Sequence, residues 1–290
     1  MNLKHPDYLD KRKVAQSFDR AALTYEQSAK LQKTIEENLL ERLEWLKIAP
    51  GHILDVGAGI GGLTYALSQR HKSARIYALD ISINMLQEAR QKNCREGSKP
   101  FFLCGDAAGL PIADNSIDLL ISNLILQWCN DVHTVFAEFA RVLKSDGALF
   151  FSTLGPDTLK ELRDSWAKVD KTPHVNRFID MHDYGDALLQ AGLCHPVMDI
   201  DRFELGYHDV KQLMRELKNI GAHNITAGRS QGLMGKNKFS QMLAAYEQYR
   251  SPEDGSLPAT YEVIYGYALG KQSLEAFSDP AVIPIFQKDH

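Results

Sequence analysis

One segment, Ile53-Leu-Asp-Val-Gly-Ala-Gly-Ile-Gly-Gly62, constrains the fold of this chain more than any other. Its first residues read as a buried strand and its last open an amphipathic run. The glycines between them let the backbone turn sharply and come close to a ligand, so the segment predicts a strand, a tight loop and a helix from about Gly62. The same rhythm continues downstream. Short β-rich runs at 53–56, 75–79, 101–104, 117–122 and 148–153 alternate with helical periodicity from Gly62, Ser82 and Asp131, the last two being suitable N-caps. Alternation of this kind predicts an α/β fold, with a mostly parallel sheet covered by helices on both faces.

The flanks follow other patterns. Residues 8–48 read as helical, with one apolar stripe of Val14, Phe18, Ala21, Ala22 and Tyr25 and another of Leu31, Ile35, Leu39, Leu43 and Leu46, stopped by Pro50 and Gly51. Beyond 153 come a helical stretch at 157–168, a turn at Thr172-Pro173, a helix at 182–191 ended by Gly192, and β-like runs at 197–205 and 261–269. Helical patterning at 208–219 and 237–249 fills the space between those two runs, which is too long for a hairpin loop. The expected organisation is therefore an N-terminal helical lid (1–50), a core (51–206), a helical insertion acting as a substrate or partner cap (207–256), a closing seventh strand (257–270) and a loose tail (271–290).

At 290 residues, with 44% hydrophobic and 24% charged side chains, the composition excludes fibrous and disordered classes and fits one large domain. The net charge of -4 argues against a dedicated nucleic-acid binder. Residues 202–250 run the other way. Arg202, Lys211, Arg215, Lys218, Arg229, Lys236, Lys238 and Arg250 face only Glu204, Asp209, Glu216 and Glu247 there. The first residues lack an apolar leader and no apolar run approaches the ~18 residues of a membrane span, so a cytoplasmic protein without a membrane partner is expected. Cys94, Cys104, Cys129 and Cys194 form no CxxC pair. Neither disulfides nor a metal site are expected.

Three acids lie at three successive strand ends. Asp55 precedes the first glycine, where a carboxylate suits a positively charged amino group and sits poorly beside a pyrophosphate. Asp80 ends the second strand 23 residues after Gly57, where it can accept both hydroxyls of a ribose. Asp106 follows the third strand and can take a hydrogen bond from an adenine amino group. Each alone would be an ordinary cap or turn former; together with Gly57 and Gly59 they describe a pocket for an adenosine bearing a cationic amino-acid arm, which is S-adenosylmethionine. Ile81, Met85, Ala107, Asn123 and Leu124 are the expected remaining contacts.

The motifs ILDVGAGIGG, YALDIS, CGDAAGLP, IDLLISNLILQW and RVLKSDGALFFST resemble those of Rossmann-like class I S-adenosylmethionine-dependent methyltransferases, over residues 51–153. FDRAALTYEQSAKLQ (18–32), LILQWCND (124–131), HVNRF (174–178), LKNIGAHNITAGR (217–229) and LPATYEVIYGYALGK (257–271) narrow the resemblance to the biotin-pathway malonyl-[acyl-carrier protein] O-methyltransferases. Ala58 stands where many of those relatives have Cys. The resemblance implies methylation of the free carboxylate of a malonyl thioester on acyl carrier protein or coenzyme A, giving the ester that primes pimeloyl synthesis for biotin. It also implies a cationic anchor for that carboxylate, with Arg177 first and Arg229 and His174 next. Tyr25 reads either as packing for the N-terminal helix or as a hydrogen-bond donor over the cofactor. The basic excess in 202–250 is the expected dock for an acidic carrier protein. Trp128 reads as a pocket wall and His223 as a structural hydrogen-bond partner.

A rival resemblance is to the complex I assembly-factor arginine hydroxylases, through TLKELRDSW and PEDGSLPATYEV. That family lacks the arginine of HVNRF. A non-catalytic S-adenosylmethionine-binding chaperone is the alternative from another class, separated by turnover of labelled cofactor. A small-molecule methyltransferase of the quinone type would have no obvious use for the basic insertion.

Overall fold

The computed structural model describes residues 8–95, 99–222, 224–226 and 235–271. Arg229, His223 and the expected loose tail beyond Lys271 lie outside them. Among the described residues one sheet has the order β3-β2-β1-β4-β5-β7-β6. Its strands are β1 (His52–Val56), β2 (Arg75–Asp80), β3 (Phe101–Cys104), β4 (Ile117–Asn123), β5 (Leu143–Leu154), β6 (Cys194–Tyr207) and β7 (Leu257–Leu269). Only β7 runs against the rest, pairing antiparallel with both β5 and β6.

The helices are α1 (Lys11–Ser28), α2 (Lys30–Glu44), α3 (Gly62–Arg70), α4 (Ile83–Arg95), α5 (Val132–Val142), α6 (Lys160–Ala167), α7 (Met181–Gln190), α8 (Val210–Asn219) and α9 (Lys236–Tyr246). What the sequence suggests as one N-terminal helical region is two helices broken at Ala29, whose backbone (φ -91°, ψ 41°) leaves the helical range. Both apolar stripes are buried, but against different neighbours. Ile35, Leu39 and Leu43 of α2 join the core, while Ala21 and Ala22 of α1 pack against Met85 of α4.

Side chains alternate along each strand, and this divides the core in two. Ile53, Leu119, Ile121, Phe150 and Val263 face α2, α3 and α6; Leu54, Val56, Leu120, Phe151 and Ile264 face α5 and α7. Val210 and Leu213 of α8, and Met242 and Tyr246 of α9, are buried in the first of these cores. Both helices between β6 and β7, α8 and α9, are thus packed into the core of the sheet. The alternation also puts Asp55 on the face of Ile53, beneath α2 and α3.

One glycine is fixed by packing rather than by a turn. Gly266 pairs with Phe151, and a Cβ added at Gly266 would fall 2.1 Å from the Phe151 ring. Gly266→Ala is therefore expected to lower unfolding stability by about 1–3 kcal/mol, the usual scale of overpacking. An unchanged denaturant midpoint would contradict this account of the β5–β7 pair.

Candidate active site

At the carboxyl end of β1 the chain enters the glycine loop. Gly57 (φ +82°) donates its N–H to the Leu79 carbonyl at 2.7 Å, and any Cβ there would meet Ile125 Cγ2 at 1.8 Å. Both facts require glycine. The N–H of Gly59 donates to Asp80 Oδ2 at 2.9 Å, and that of Ser82 to Asp80 Oδ1 at 2.8 Å. Asp80 thereby ties the loop to the end of β2, and each oxygen keeps a lone pair for a ligand. Ser82 also caps α4 as expected, accepting from the Met85 N–H at 3.2 Å.

Asp55 is fully buried; Thr64 Oγ1 donates to its Oδ2 at 2.5 Å while Oδ1 has no hydrogen-bond partner. Burial pushes its carboxyl up to about 7. Glu36, on α2, is likewise pushed up to about 7 by burial and by the nearby Asp55. Burial also raises Asp80 and the Tyr25 hydroxyl, the latter with help from Glu36 and Asp80. Clustered, desolvated acids of this kind hold charge at a cost that a bound cation relieves. The donor set therefore fits a cofactor with a cationic arm.

A cavity of about 340 Å³ opens beside the loop. Gly57, Gly59, Asp80, Ile81, Met85, Asp106, Ala107, Asn123 and Leu124 all border it, as does Tyr25. Asp55 does not; it lies behind the loop. Asp106 accepts from Ala108 N at 3.0 Å through Oδ1 and pairs with Lys11 Nζ through Oδ2. Leu124 holds a left-handed backbone (φ +56°) and donates its N–H to the Ser152 carbonyl at 3.0 Å. A non-glycine residue in that region is strained, and here it turns the chain between the cavity and the next one.

The second cavity, about 510 Å³, shares Phe18, Tyr25, Leu124 and Trp128 with the first. Its walls are largely apolar, including Leu31, Ile35, Leu154, Leu162 and Trp166. Trp128 stands edge-on to Phe18 with ring centroids 5.3 Å apart, a wall as expected. Gln127 is held by bonds from its Nε2 to the Leu124 carbonyl (2.7 Å) and from Thr153 Oγ1 to its Oε1 (3.1 Å). Cys129, at the edge of the first cavity, is pushed up to about 12 by burial and is no nucleophile at neutral pH.

His174 borders the second cavity, stacked on Trp166 at 3.8 Å, with its Nε2 2.9 Å from Asp170 Oδ1. Lys238 Nζ donates to the other Asp170 oxygen at 2.9 Å, and this bond, with His174, holds the Asp170 carboxyl well below the usual range. Arg177 is not on that wall. It is exposed and borders an adjoining groove of about 840 Å³, which shares Gln127, Trp166, His174 and Asn176 with the second cavity. Lys11, Glu36 and Asn176 were not legible as site residues. Lys11 and Glu36 look like ordinary solvated helix charges, and the only signal was their place beside the apolar stripes of α1 and α2.

This fold and this site define a Rossmann-like methyltransferase, and a Methyltransferase domain family model matches residues 54–151. The Bacillus subtilis YcgJ protein superposes with a TM-score of 0.60 at 16% identity, over 82% of this chain and 99% of that one. Phosphoethanolamine N-methyltransferase 2 of Haemonchus contortus, solved in complex with S-adenosyl-L-methionine, gives 0.53 at 16% identity, over 88% and 57%. Both likenesses concern the fold. Sequence relatives go further: proteins of Gallionella capsiferriformans and Laribacter hongkongensis, each named malonyl-[acyl-carrier protein] O-methyltransferase, are 48% identical over 90% of this chain and 91% and 90% of their own. A Coxiella burnetii malonyl-[acyl-carrier protein] O-methyltransferase 1 is 43% identical over 91% and 90%. The chain belongs to the malonyl-[acyl-carrier protein] O-methyltransferase family, and its cofactor is S-adenosylmethionine.

The raised acids predict a pH dependence of cofactor affinity. In the free protein Asp55 and Glu36 hold protons below about 7, which a cationic ligand must expel. Affinity should rise as pH rises through about 7, then fall as the ligand's amino group loses its proton near about 8. Asp80→Ala should weaken binding by about 1.5–3 kcal/mol, the scale of charge-assisted hydrogen bonds. Calorimetry checks both, and a flat profile on the acid side would contradict the cluster's role.

Proposed function

We propose that this protein methylates the free carboxylate of a malonyl thioester on acyl carrier protein, with the coenzyme A thioester as a smaller form of the same substrate. The product is the malonyl methyl ester that primes pimeloyl synthesis for biotin. The observation that carries the proposal is the meeting of two cavities at Phe18, Tyr25, Leu124 and Trp128, one lined by cofactor-type acids and one apolar. The names of the relatives point to the same substrate.

When bound, S-adenosylmethionine supplies a methyl group on positively charged sulfur, which a carboxylate oxygen can displace. Asp80 and Asp106 hold the adenosine, and Asp55 with Glu36 balances the cationic arm. Tyr25, Phe18 and Trp128 exclude water and orient the reacting groups, the main source of acceleration available here. No general base is needed, because a carboxylate is already ionised at neutral pH. Attraction between carboxylate and cation fades in the transition state, so the chain's own cation must grip the oxygen that does not react. Arginine suits this, since its fork can hold one oxygen and leave the other free.

Arg177, exposed on the groove that adjoins the inner cavity, is the proposed anchor, and His174 is the candidate on the cavity wall itself. Arg177→Ala should cut kcat/KM on malonyl thioester by at least ~100-fold with cofactor affinity nearly unchanged, and Arg177→Lys should recover only part. Steady-state kinetics on both variants and on His174→Ala checks this. Full activity in Arg177→Ala would move the anchor.

The carrier protein docks on the exposed basic face of α8 and the start of α9. Arg202, Lys238 and Arg250 are engaged with Asp157, Asp170 and Glu247. Lys211, Arg215, Lys218 and Lys236 are exposed on the two helices. Charge reversal at Lys211, Lys218 and Lys236 together should slow association with malonyl carrier protein and flatten its salt dependence, while sparing the coenzyme A thioester. Stopped-flow association at low salt tests it, and wild-type rates in the triple variant would place the dock elsewhere.

A further inference from the structure

Asn176 sits in the connection between α6 and α7 and borders both the inner cavity and the outer groove. The residue is 8% exposed, and its carboxamide oxygen is buried without a hydrogen-bond partner. Buried acceptors in folded proteins are nearly always satisfied, and one that is not costs stability unless a ligand supplies the donor. The surrounding segment is firmly held. Asn224 Nδ2 donates to the Pro173 carbonyl at 2.7 Å, Lys238 and His174 both engage Asp170, and His174 stacks on Trp166. Asn176 is thus held in a fixed frame beside the apolar cavity. The torsion of its carboxamide is soft, so a ligand N–H can draw the oxygen round to the cavity.

The chemistry of the substrate says which donor that is. A malonyl thioester offers acceptors only at its reacting end: an ionised carboxylate and a thioester carbonyl. The first donor along the arm is the amide N–H two methylenes beyond the sulfur, in the cysteamine portion of pantetheine. The cofactor's own donors belong to the other cavity, which Asn176 does not border. We infer that Asn176 is a specificity-determining residue whose carboxamide oxygen accepts this arm amide N–H, so that the enzyme recognises pantetheine-type thioesters and not merely a carboxylate. The inference rests on the methyl-transfer reading above and adds to it a contact outside the reacting atoms.

The test compares two small substrates that differ at one group: the malonyl thioester of N-acetylcysteamine, and that of 2-mercaptoethyl acetate, in which an ester oxygen replaces the amide N–H. Wild type should prefer the amide by about tenfold in kcat/KM, expressed mostly in KM, the scale of one hydrogen bond. Asn176→Leu and Asn176→Ala should both bring that ratio to about one. In the free protein, Asn176→Leu should melt at the parent temperature or above it, because it removes an unsatisfied polar group without shrinking the side chain. Equal rates of wild type on the two thioesters, or a tenfold preference retained in the variants, would overturn the assignment. A Leu variant that melts well below the parent while keeping the preference would show a structural role instead. Malonyl acyl carrier protein is run in parallel: failure of wild type to methylate it would overturn the methyl-transfer reading, and the assignment with it, whereas methylation of the carrier with equal or no turnover of the two thioesters would overturn the assignment alone.

Discussion

A fully buried carboxylate with one unsatisfied oxygen organises this molecule. Side-chain alternation along β1 turns Asp55 inward, toward the face covered by α2 and α3, and Gly57, two residues on, has no room for a side chain because Ile125 packs against it. Glu36 from α2 adds a second desolvated acid and Asp80 a third. A protein holds such a cluster only at a cost in stability, and a cationic ligand turns that cost into affinity. On the proposed reading, the N-terminal helices serve the cofactor site electrostatically, through Glu36 on α2, as well as through the cavity contacts of Phe18 and Tyr25.

The substrate side follows from the same architecture. Residues that close the cofactor cavity, Tyr25, Phe18, Leu124 and Trp128, are also the near wall of an apolar cavity whose far walls come from α6, α8 and the segment before α7. Met214 and Leu217 of α8 and Lys238 of α9 border this cavity, and both helices are anchored in the sheet's own core by Val210, Leu213, Met242 and Tyr246. The exposed Lys211, Arg215, Lys218 and Lys236 of the same helices are the proposed dock for the acidic carrier.

Much of this was legible in the sequence, and the reasons are physical. Strand alternation, glycines and strand-end acids are local signals, so the order of elements and the positions of Asp80, Asp106, Asn123 and Leu124 around one cavity could be expected. The break at Ala29 could not, because alanine is the best helix former and only the packing of α1 on α4 and of α2 on the sheet separates the two helices. Glu36, Lys11 and Asn176 depend on contacts between distant segments, as in the Lys11–Asp106 pair. Arg177 shows the limit of motif reasoning: the segment that carries it is where the resemblance puts it, yet its side chain is exposed on the groove, and only His174 of that segment's two basic residues borders the inner cavity.

The central claim is that the two cavities bring a methyl donor to a thioester-borne carboxylate. Incubating the protein with methyl-labelled S-adenosylmethionine and malonyl acyl carrier protein, followed by mass spectrometry of the carrier's arm, tests it most directly. The expected result is one labelled methyl group on the malonyl carboxyl oxygen, released by an esterase, and no label on acetyl carrier protein. Label on carbon, on the protein itself, or on neither carrier would contradict it.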